Sequence, residues 1–444
     1  MQQVTLGLVG GGTVGGGVVA ALNRNGALLA SRLGLTLRVA RIAVQDPKKN
    51  RSTRLPPELV TADWQEVVND PTIQVVAELM GGTTTAREVV RTALSLGKPV
   101  VTANKALLSA HGEELFAIAA RHGANLYYEA SVAGGIPIIK ILRESLVGNR
   151  VTRLAGIVNG TCNYILTRMK LEGAEFGDVL ADAQRLGYAE AEPSLDVDGH
   201  DAAHKTGILA SLAHGFWVAP EQVYTEGIRQ ISPLDIQFAA QLGYTIKLLG
   251  IVKMVGANSG DSRGRRKNPS IQVSVYPALI PNSHVLASVN YAFNAISVRG
   301  DIVGDTLFYG RGAGAEPTAS AVLSDLADAA LDLCHGSPRR VPPFVCHEGN
   351  GCVLGLDEVV SRYYVRLSVM DRPGVFSRIA NVLAKARIGI SSIIQPEGHA
   401  GETVPVILMI HDAPNAAMKR ALAQIARLSV VKDTPVMIRV ESLE

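Results

Sequence analysis

Cysteine is scarce in this sequence, and long apolar runs are absent. Four cysteines in 444 residues exclude the dense disulfide framework on which small secreted domains depend. No apolar run approaches the roughly 18 residues that a membrane-spanning helix needs. The N-terminus also lacks a basic segment followed by an apolar stretch and a small-residue cleavage site. We therefore expect a cytoplasmic protein that has no membrane partner.

An excess of charge of one sign is also missing. The 43 basic residues nearly balance the 40 acidic ones, so the formal net charge is only +3. No nucleic-acid partner is expected, because such proteins carry a marked basic surface. The one dense basic run, residues 263–267, lies in the polar, glycine-containing segment Gly256–Asn268. We predict that this segment is a solvated loop between two strands.

The sequence does contain a regular alternation of strand-like and helical segments. Apolar residues make up 47% and charged residues 19%, a balance typical of folded globular proteins, and the length suffices for two or three domains. In residues 1–150 the predicted strands are 4–9, 37–44, 75–79 and 99–102, and the predicted helices are 18–30 and 86–96. This βαβ repetition predicts an α/β fold with a Rossmann-type doubly wound parallel sheet.

The pattern changes after residue 150. An α+β substrate-binding domain is predicted over residues 151–315, and a helix over 316–335 is expected to pack back on the first domain. Residues 336–360 contain proline and glycine clusters and are interpreted as a linker. Residues 361–444 follow the order βαββαβ, which predicts a small ferredoxin-like module. Its predicted elements are 363–370, 375–386, 390–394, 404–410, 416–426 and 436–440.

A glycine-rich turn indicates a dinucleotide-binding site. Gly10, Gly12 and Gly15 follow directly on the first apolar strand and open a helix. The first glycine suits a tight turn, the second a close approach of the backbone to a pyrophosphate, and the third close packing of helix on strand. Thr13 and Val14 begin the helix, where free N–H groups favour an anion. The pattern therefore predicts that NAD or NADP binds here.

The end of the second strand should select between the two cofactors. A carboxylate there bonds the ribose hydroxyls of NAD, whereas a cation suits the 2′-phosphate of NADP. Gln45 is neither. Asp46 next to it favours NAD, while Lys48, Lys49 and Arg51 favour a phosphate. These residues leave both cofactors open.

A second cluster of polar side chains surrounds a turn and the start of a helix at residues 187–205. Asp201 and Lys205 are four residues apart, so they share one face of that helix. An exposed ion pair would explain this spacing as well as a catalytic pair would.

Three motifs make the sequence resemble the homoserine dehydrogenase family. They are Gly187-Tyr-Ala-Glu-Ala-x-Pro-x-x-Asp-x-x-Gly-x-Asp-Ala-x-x-Lys, Val100-Val-Thr-Ala-Asn-Lys-Ala and Asn159-Gly-Thr-Cys-Asn-Tyr-Ile-Leu. The resemblance runs from about residue 4 to 335, which implies a monofunctional member, and the segment from 361 is similar to the ACT regulatory domain that many members carry. It implies the reversible, NAD(P)-dependent reduction of L-aspartate 4-semialdehyde to L-homoserine in threonine and methionine biosynthesis.

The same resemblance implies roles for individual residues. Lys205 would donate and accept the proton, and Lys105 would be a second active-site lysine. The acidic residues Glu190, Asp196 and Asp201 would hold the substrate, in a pocket lined by Gly160, Thr161 and Tyr188. The implied positions near the cofactor are Gln45, Thr84, Lys105, Gly187, Glu190, Gly312 and Gly314.

The chemistry of the reduction agrees with these roles. Hydride addition to the aldehyde carbon leaves negative charge on the oxygen, so an ammonium donor is needed beside that oxygen. The substrate also carries an ammonium group, which carboxylates can bind by charge-assisted hydrogen bonds.

The resemblance also extends to a cation, to an effector and to assembly. The segment Glu129-Ala-Ser-Val-Ala-Gly-Gly-Ile is similar to a monovalent-cation loop, which implies Glu129 and the carbonyls of Val132, Gly134 and Ile136 as sodium ligands. Many members have arginine where Gln45 stands, so we expect this chain to use both NADP and NAD. The resemblance also implies that residues 151–315 form the catalytic and dimerisation domain. A homodimer or homotetramer is expected, with threonine as effector at the ACT domain.

Two other functions are compatible with the sequence. The fold alone does not fix the substrate, so another amino-acid dehydrogenase is the first alternative. A non-catalytic amino-acid sensor is the second, although the presence of both lysines and the acidic cluster argues against it. The C-terminal module is either regulatory or a passive dimerisation module. If it is regulatory, removal of residues 356–444 should leave a competent enzyme that has lost its response.

Overall fold

The structure, a computed structural model, describes residues 2–51, 53–255, 270–337, 340–349, 351–396 and 402–443. The segment Gly256–Asn268, predicted as a loop, lies outside the described residues. The chain forms two compact units. The first contains Met1–Leu154, His204–Val223 and Asn294–Gly351, and the second contains Ala155–Ala203, Tyr224–Phe293 and Cys352–Glu444.

The first unit is built on a six-stranded parallel sheet with the strand order β3-β2-β1-β4-β5-β6. This is the Rossmann-type arrangement that the βαβ pattern predicts. Its elements are β1 Gln2–Val9, α1 Thr13–Leu33, β2 Leu35–Ala43, β3 Val60–Thr61, α2 Gln65–Val68, β4 Val75–Glu78, α3 Thr84–Ser95, β5 Val100–Thr102, α4 Lys105–Arg121, β6 Leu126–Tyr127 and α5 Ile138–Lys140.

The middle of the chain carries the next set of elements, which are β7 Val151–Ile157, α6 Gly160–Glu172, α7 Phe176–Arg185, α8 Ser194–Val197, α9 His200–His214, β8 Tyr224–Thr225, α10 Pro233–Gln241, β9 Tyr244–Val255, β10 Ser270–Pro281, β11 Phe293–Gly300, β12 Gly304–Arg311 and α11 Ala315–Cys334. Helix α11 packs against α1, and its buried residues Val322, Leu326 and Ala329 share one core with Val18 and Ala21. This burial accounts for the apolar face of α11, which belongs to the first unit together with the preceding residues from Asn294 onward.

The second unit contains a sheet in which β9 and β10 form a long antiparallel pair. The remaining elements of the chain are β13 Cys352–Val353, β14 Val360–Met370, α12 Val375–Lys385, β15 Ile390–Ile394, β16 Thr403–Pro414, α13 Asn415–Ile425 and β17 Val436–Val440. The order β14-α12-β15-β16-α13-β17 is the predicted βαββαβ module. Its strands continue the sheet in the order β9-β10-β17-β14-β16-β15.

The predicted linker, residues 336–360, is divided between packed segments. Val341 is buried in the core of the first unit, whereas β13 pairs with β10 in the second. The C-terminal module is likewise joined to its neighbour, since Ala278 and Leu279 of β10 pair in parallel with Arg439 and Val440 of β17. Across the described residues, no helix has both the length and the apolar character that crossing a bilayer requires.

Candidate active site

The glycine turn after β1 leaves the N-terminus of α1 open. Gly10 has φ +115°, a conformation that side chains disfavour. A Cβ on Gly15 would lie 2.0 Å from the carbonyl oxygen of Gly10, so helix and turn can approach this closely only with glycine there. A Cβ on Gly12 would meet no atom within 4 Å. Open space at Gly12 beside the free N–H groups of a 21-residue helix fits a pyrophosphate.

The loop after β2 is basic and partly self-supporting. Gln45 is exposed at its start. The Asp46 carboxylate accepts the Lys48 backbone N–H at 2.8 Å, and the Arg51 guanidinium donates to the carbonyls of Asp46 and Lys49 at 2.5 and 2.8 Å. Asp46 and Arg51 are thus engaged in shaping the loop. The adjoining cavity of about 630 Å³ is lined by Lys48, Lys49, Arg51 and Arg54 among others.

A buried hydrogen-bond chain joins the carboxyl ends of β4 and β5. Glu78 accepts the Met80 backbone N–H at 3.0 Å and the Thr102 hydroxyl at 2.6 Å. Thr102 in turn accepts the Asn104 backbone N–H at 3.0 Å. Burial raises the pKa of the Glu78 carboxyl to about 7. No role was predicted for Glu78 from the sequence, although it ends a strand of the parallel sheet, where ligand sites form.

Asn104 extends this series of hydrogen bonds to the start of α4. Its side chain caps the helix by accepting the Leu107 N–H at 3.0 Å, and it donates to the Gly82 carbonyl at 2.7 Å. Lys105 is the first residue of α4 and is half-buried. The chain therefore fixes the backbone from which Lys105 projects. Thr84, at the start of α3, is exposed.

Glu129 is the first residue of the loop that resembles a cation site. Its buried carboxylate accepts the backbone N–H groups of Ile139 and Lys140 at 2.9 and 2.8 Å. Asp325, from α11, accepts the Glu129 N–H at 2.8 Å. Burial raises the pKa of Glu129 to about 7, and burial together with the negative charge of Glu129 raises the pKa of Asp325 to about 8. Two buried carboxyl groups, those of Glu129 and Asp325, therefore lie at this loop.

The two glycine loops of the first unit meet each other. Gly134 has φ +46°, and a Cβ there would lie 2.6 Å from the carbonyl oxygen of Gly312. Gly135 donates its N–H to the Arg311 carbonyl at 2.9 Å. Gly314, with φ +128°, precedes α11. The structure therefore brings the predicted cation loop and the predicted cofactor residues Gly312 and Gly314 together.

In the second unit, residues predicted to bind the substrate gather at the N-terminus of α6. Asn159 caps that helix, and its amide nitrogen donates to Asp196 at 2.7 Å and to Asp201 at 2.9 Å. Gly160 and Thr161 are the first residues of α6. Asn159 is part of one of the three sequence motifs, but no role was predicted for it. An asparagine is a preferred N-cap residue, and its place directly before α6 is the signal that could have marked it as a cap.

The loop 187–192 covers the same helix end. The Thr161 hydroxyl donates to the Tyr188 carbonyl at 2.8 Å, and the Tyr188 ring stacks on Tyr164 with centroids 4.6 Å apart. Gln184 holds the backbone carbonyl of Glu190 at 3.0 Å, which leaves the exposed Glu190 carboxylate for other partners. Gly187 makes the turn with φ +78°. Five predicted residues thus lie on or beside one helix N-terminus.

Helix α9 carries the remaining pair. Asp201 is 4% and Lys205 8% exposed. An exposed surface ion pair, which the sequence left as an alternative, is therefore wrong. Burying two charged side chains costs free energy that structures seldom expend without a partner or a function.

A buried lysine supports the chain that follows β10. The Lys247 ammonium donates to the Asn163 side-chain oxygen at 2.9 Å and to the Val289 carbonyl. The Asn163 amide donates to the carbonyls of Tyr291 and Phe293 at 2.9 and 3.2 Å. Burial lowers the pKa of Lys247 to about 7. Neither residue was predicted, because their partners are distant in sequence.

Comparison with known families agrees with this geometry. The family model described as "Homoserine dehydrogenase, NAD binding domain" matches residues 10–129, the model described as "Homoserine dehydrogenase" matches residues 137–327, and the ACT domain model matches residues 363–427. The chain belongs to the homoserine dehydrogenase family. It is therefore an oxidoreductase that acts on the homoserine hydroxyl with a nicotinamide cofactor, in amino-acid biosynthesis, and it carries a C-terminal ACT domain.

Relatives match over the whole length. The homoserine dehydrogenase of Pseudomonas aeruginosa is 43% identical over 100% of both chains, and that of Bacillus subtilis is 38% identical over 99% of both. A crystal structure of a homoserine dehydrogenase from Thiobacillus denitrificans has a TM-score of 0.91 at 43% identity, covering 100% of this chain and 99% of that one. A hyperthermophilic archaeal homoserine dehydrogenase in complex with NADPH matches at 26% identity with a TM-score of 0.61, over 74% of this chain and 98% of its own.

Proposed function

We propose that Lys205 is the proton donor and acceptor in the reversible reduction of L-aspartate 4-semialdehyde to L-homoserine, and that Lys105 is a second active-site lysine. The observation that carries this proposal is the burial of Lys205 on α9, one turn from the buried Asp201. An ammonium group beside the carbonyl oxygen stabilises the charge that hydride addition creates there, and it supplies the proton. Lys105 is held at a fixed helix start by Asn104.

The carboxylates at the start of α6 supply the other half of recognition. We assign the substrate ammonium group to Glu190, Asp196 and Asp201, in a pocket lined by Gly160, Thr161 and Tyr188. Support comes from the shared amide of Asn159, which brings Asp196 and Asp201 to one nitrogen. Charge-assisted hydrogen bonds to an ammonium group are strong and directional. They would orient the aldehyde end of the substrate away from these carboxylates.

The cofactor would bind along the first unit. Gly10, Gly12, Thr13, Val14 and Gly15 would hold the pyrophosphate at the α1 N-terminus. Gln45, Thr84, Gly187, Glu190, Gly312 and Gly314 are the other proposed contacts. Bound NAD or NADP supplies or accepts the hydride. We propose use of both, because Gln45 offers neither a carboxylate for NAD nor a cation for NADP, while Lys48 and Lys49 lie in the adjoining basic loop.

A monovalent cation, sodium above all, is proposed at the Glu129 loop, with the carbonyls of Val132, Gly134 and Ile136. The donor set fits a hard cation because it is all oxygen. Glu129 and the Ile136 carbonyl each accept backbone N–H groups already, so the cation would use their remaining lone pairs. Its role would be to fix the loop that packs on Gly312.

Regulation and assembly complete the proposal. We propose threonine as the effector of the ACT domain, and a homodimer or homotetramer as the assembly. The left-handed Gly374 before α12 leaves the N–H groups of that helix free of a side-chain cap, as a carboxylate ligand would need. A cytoplasmic location is supported by Cys162, Cys334, Cys346 and Cys352, which are free thiols.

The test is Lys205→Ala, with Lys385→Ala as a matched control because Lys385 is exposed in the last turn of α12. We expect kcat with homoserine to fall by about a hundredfold to ten-thousandfold, the usual contribution of a general acid. Fluorescence titration with NADPH should show unchanged binding, and the control should be fully active. Near-normal turnover in Lys205→Ala would refute the mechanism. Faster turnover of another hydroxy amino acid by the unsubstituted enzyme would refute the substrate.

A further inference from the structure

A single buried side chain touches both acidic residues of the proposed substrate site. Asn159 is 4% exposed. Its amide nitrogen lies 2.7 Å from the Asp196 carboxylate and 2.9 Å from the Asp201 carboxylate. We propose that Asn159 is a positioning residue that holds these two carboxylates together as the receptor for the ammonium group of the substrate. This inference rests on the function proposed above.

The orientation of the amide follows from its surroundings. The Asn159 side-chain oxygen accepts the Cys162 backbone N–H at 2.8 Å, as the cap of α6. A backbone N–H requires an acceptor and two carboxylates require donors, so the oxygen must face the helix and the NH₂ group the acids. The first turn of α6 therefore fixes the direction of both N–H bonds.

This arrangement solves an electrostatic problem. Two carboxylates that reach one nitrogen repel each other, which favours protonation of one of them. An amide that donates one hydrogen to each offsets part of that repulsion and adds no charge. The pair is then arranged to accept charge-assisted hydrogen bonds from an ammonium ion. A second tie holds the same segment, since the Cys162 thiol lies 3.2 Å from the Asp196 carbonyl.

The residue type is specific to this task. Serine in place of Asn159 would still cap α6, but its hydroxyl cannot donate to two carboxylates while accepting the Cys162 N–H. Aspartate would also cap the helix, but it would place a third negative charge at the site. Alanine would remove both the cap and the donors. The three substitutions thus separate helix capping from carboxylate positioning.

The experiment compares Asn159→Ser, Asn159→Ala and Asn159→Asp with the unsubstituted enzyme. We expect KM for homoserine to rise about tenfold to a hundredfold in both the Ser and Ala variants, the effect of losing hydrogen bonds to charged groups. The fall in kcat should be smaller. The Tm should be lower in Ala than in Ser, because only Ser caps the helix. In Asn159→Asp, the acidic limb of kcat/KM against pH should move up by about one pH unit.

Calorimetric titration of the enzyme–NADPH complex with homoserine, which cannot react because the cofactor is already reduced, gives a readout besides turnover and should show the same loss of affinity. If Asn159→Ser had the same KM, affinity and Tm as the unsubstituted enzyme, Asn159 would be only a helix cap. Unchanged KM in all three folded variants would also overturn the proposal. Failure of the unsubstituted enzyme to oxidise homoserine would contradict the proposed function and the Asn159 role together.

Discussion

The buried carboxyl group of Glu78 makes the first unit sensitive to pH. Its pKa rises from the usual 4.5 to about 7 because burial disfavours the charged form more strongly than its hydrogen bonds favour it. Substitution by glutamine keeps the shape and removes the charge. The amide oxygen can still accept the Met80 N–H, and the amide nitrogen can donate to the Thr102 hydroxyl. We therefore expect Glu78→Gln to stabilise the protein at neutral and higher pH.

The sign and size follow from proton linkage. Between pH 4.5 and 7 the folded state holds a proton on Glu78 that the unfolded state has lost, so the free energy of unfolding falls as the pH rises. The difference of about 2.5 in pKa, at about 1.4 kcal/mol for each pKa unit, corresponds to about 3 kcal/mol over the whole range. About 2.5 kcal/mol of this falls between pH 5 and pH 8.

The assay is thermal unfolding of the unsubstituted protein and of Glu78→Gln at several pH values from 5 to 8. The Tm difference should widen with pH and reach roughly 6 to 12 °C at pH 8, where nearly all of the about 3 kcal/mol applies, using 2–4 °C per kcal/mol for units of this size. Glu88→Gln, on the exposed face of α3, is the matched control and should show no such trend. The Tm difference isolates Glu78 from Glu129 and Asp325, which titrate in both proteins. Equal Tm values at pH 8, or a gain that is largest at pH 5, would refute the reasoning.

Three further predictions concern the site and the C-terminal module. Gln45→Arg should shift the ratio of kcat/KM toward NADP about tenfold or more, by adding a charge-assisted partner for the 2′-phosphate; an unchanged ratio would show that position 45 does not face the ribose. Glu190→Ala should raise KM for homoserine about tenfold or more without moving the loop, because Gln184 holds the backbone of residue 190; a normal KM would remove Glu190 from substrate binding. Deletion of residues 356–444 should destabilise the substrate-binding part and abolish activity, measured by circular dichroism and turnover; a stable, active product would contradict this.

The local pattern of the sequence predicted the elements closely. The predicted bounds 390–394 and 436–440 are those of β15 and β17. The patterns that predict strands and amphipathic helices involve residues close together in sequence. The glycine turn likewise depends on three positions within six residues. The Rossmann-type sheet and the βαββαβ module could therefore be predicted without any knowledge of long-range contacts.

The support of the site could not be predicted in the same way. Glu78 is hydrogen-bonded to Thr102, which is 24 residues away. Asn159 is hydrogen-bonded to Asp196 and Asp201, which are 37 and 42 residues away. No periodicity connects such positions. The alternative of a surface ion pair at Asp201 and Lys205 was decided only by burial, which a spacing of four residues does not determine.

The junction of the ACT domain with its neighbour was also missed, and it bears on regulation. The predicted linker suggested a detachable module, but β17 pairs directly with β10. Glu441 accepts the Tyr276 hydroxyl at 2.8 Å and pairs with Lys253. A deletion therefore removes a strand and its buried partners from the same sheet. The deletion would leave these groups without their hydrogen-bond partners, which lowers the free energy of unfolding. We therefore expect it to impair folding as well as regulation.

The same junction shows how an effector could act without a hinge. Arg366 and Tyr364 of β14 bond the fully buried Asp235 at the start of α10, at 2.7 and 3.0 Å. Arg439 of β17 pairs with Glu226 at 2.9 Å and lies over the Tyr276 ring at 4.6 Å. A ligand that favours one position of β14 or β17 changes these contacts directly, because the strands belong to one sheet. Coupling then requires only a difference in affinity between two arrangements of that sheet, and a difference of about 1 to 3 kcal/mol alters activity several-fold or more.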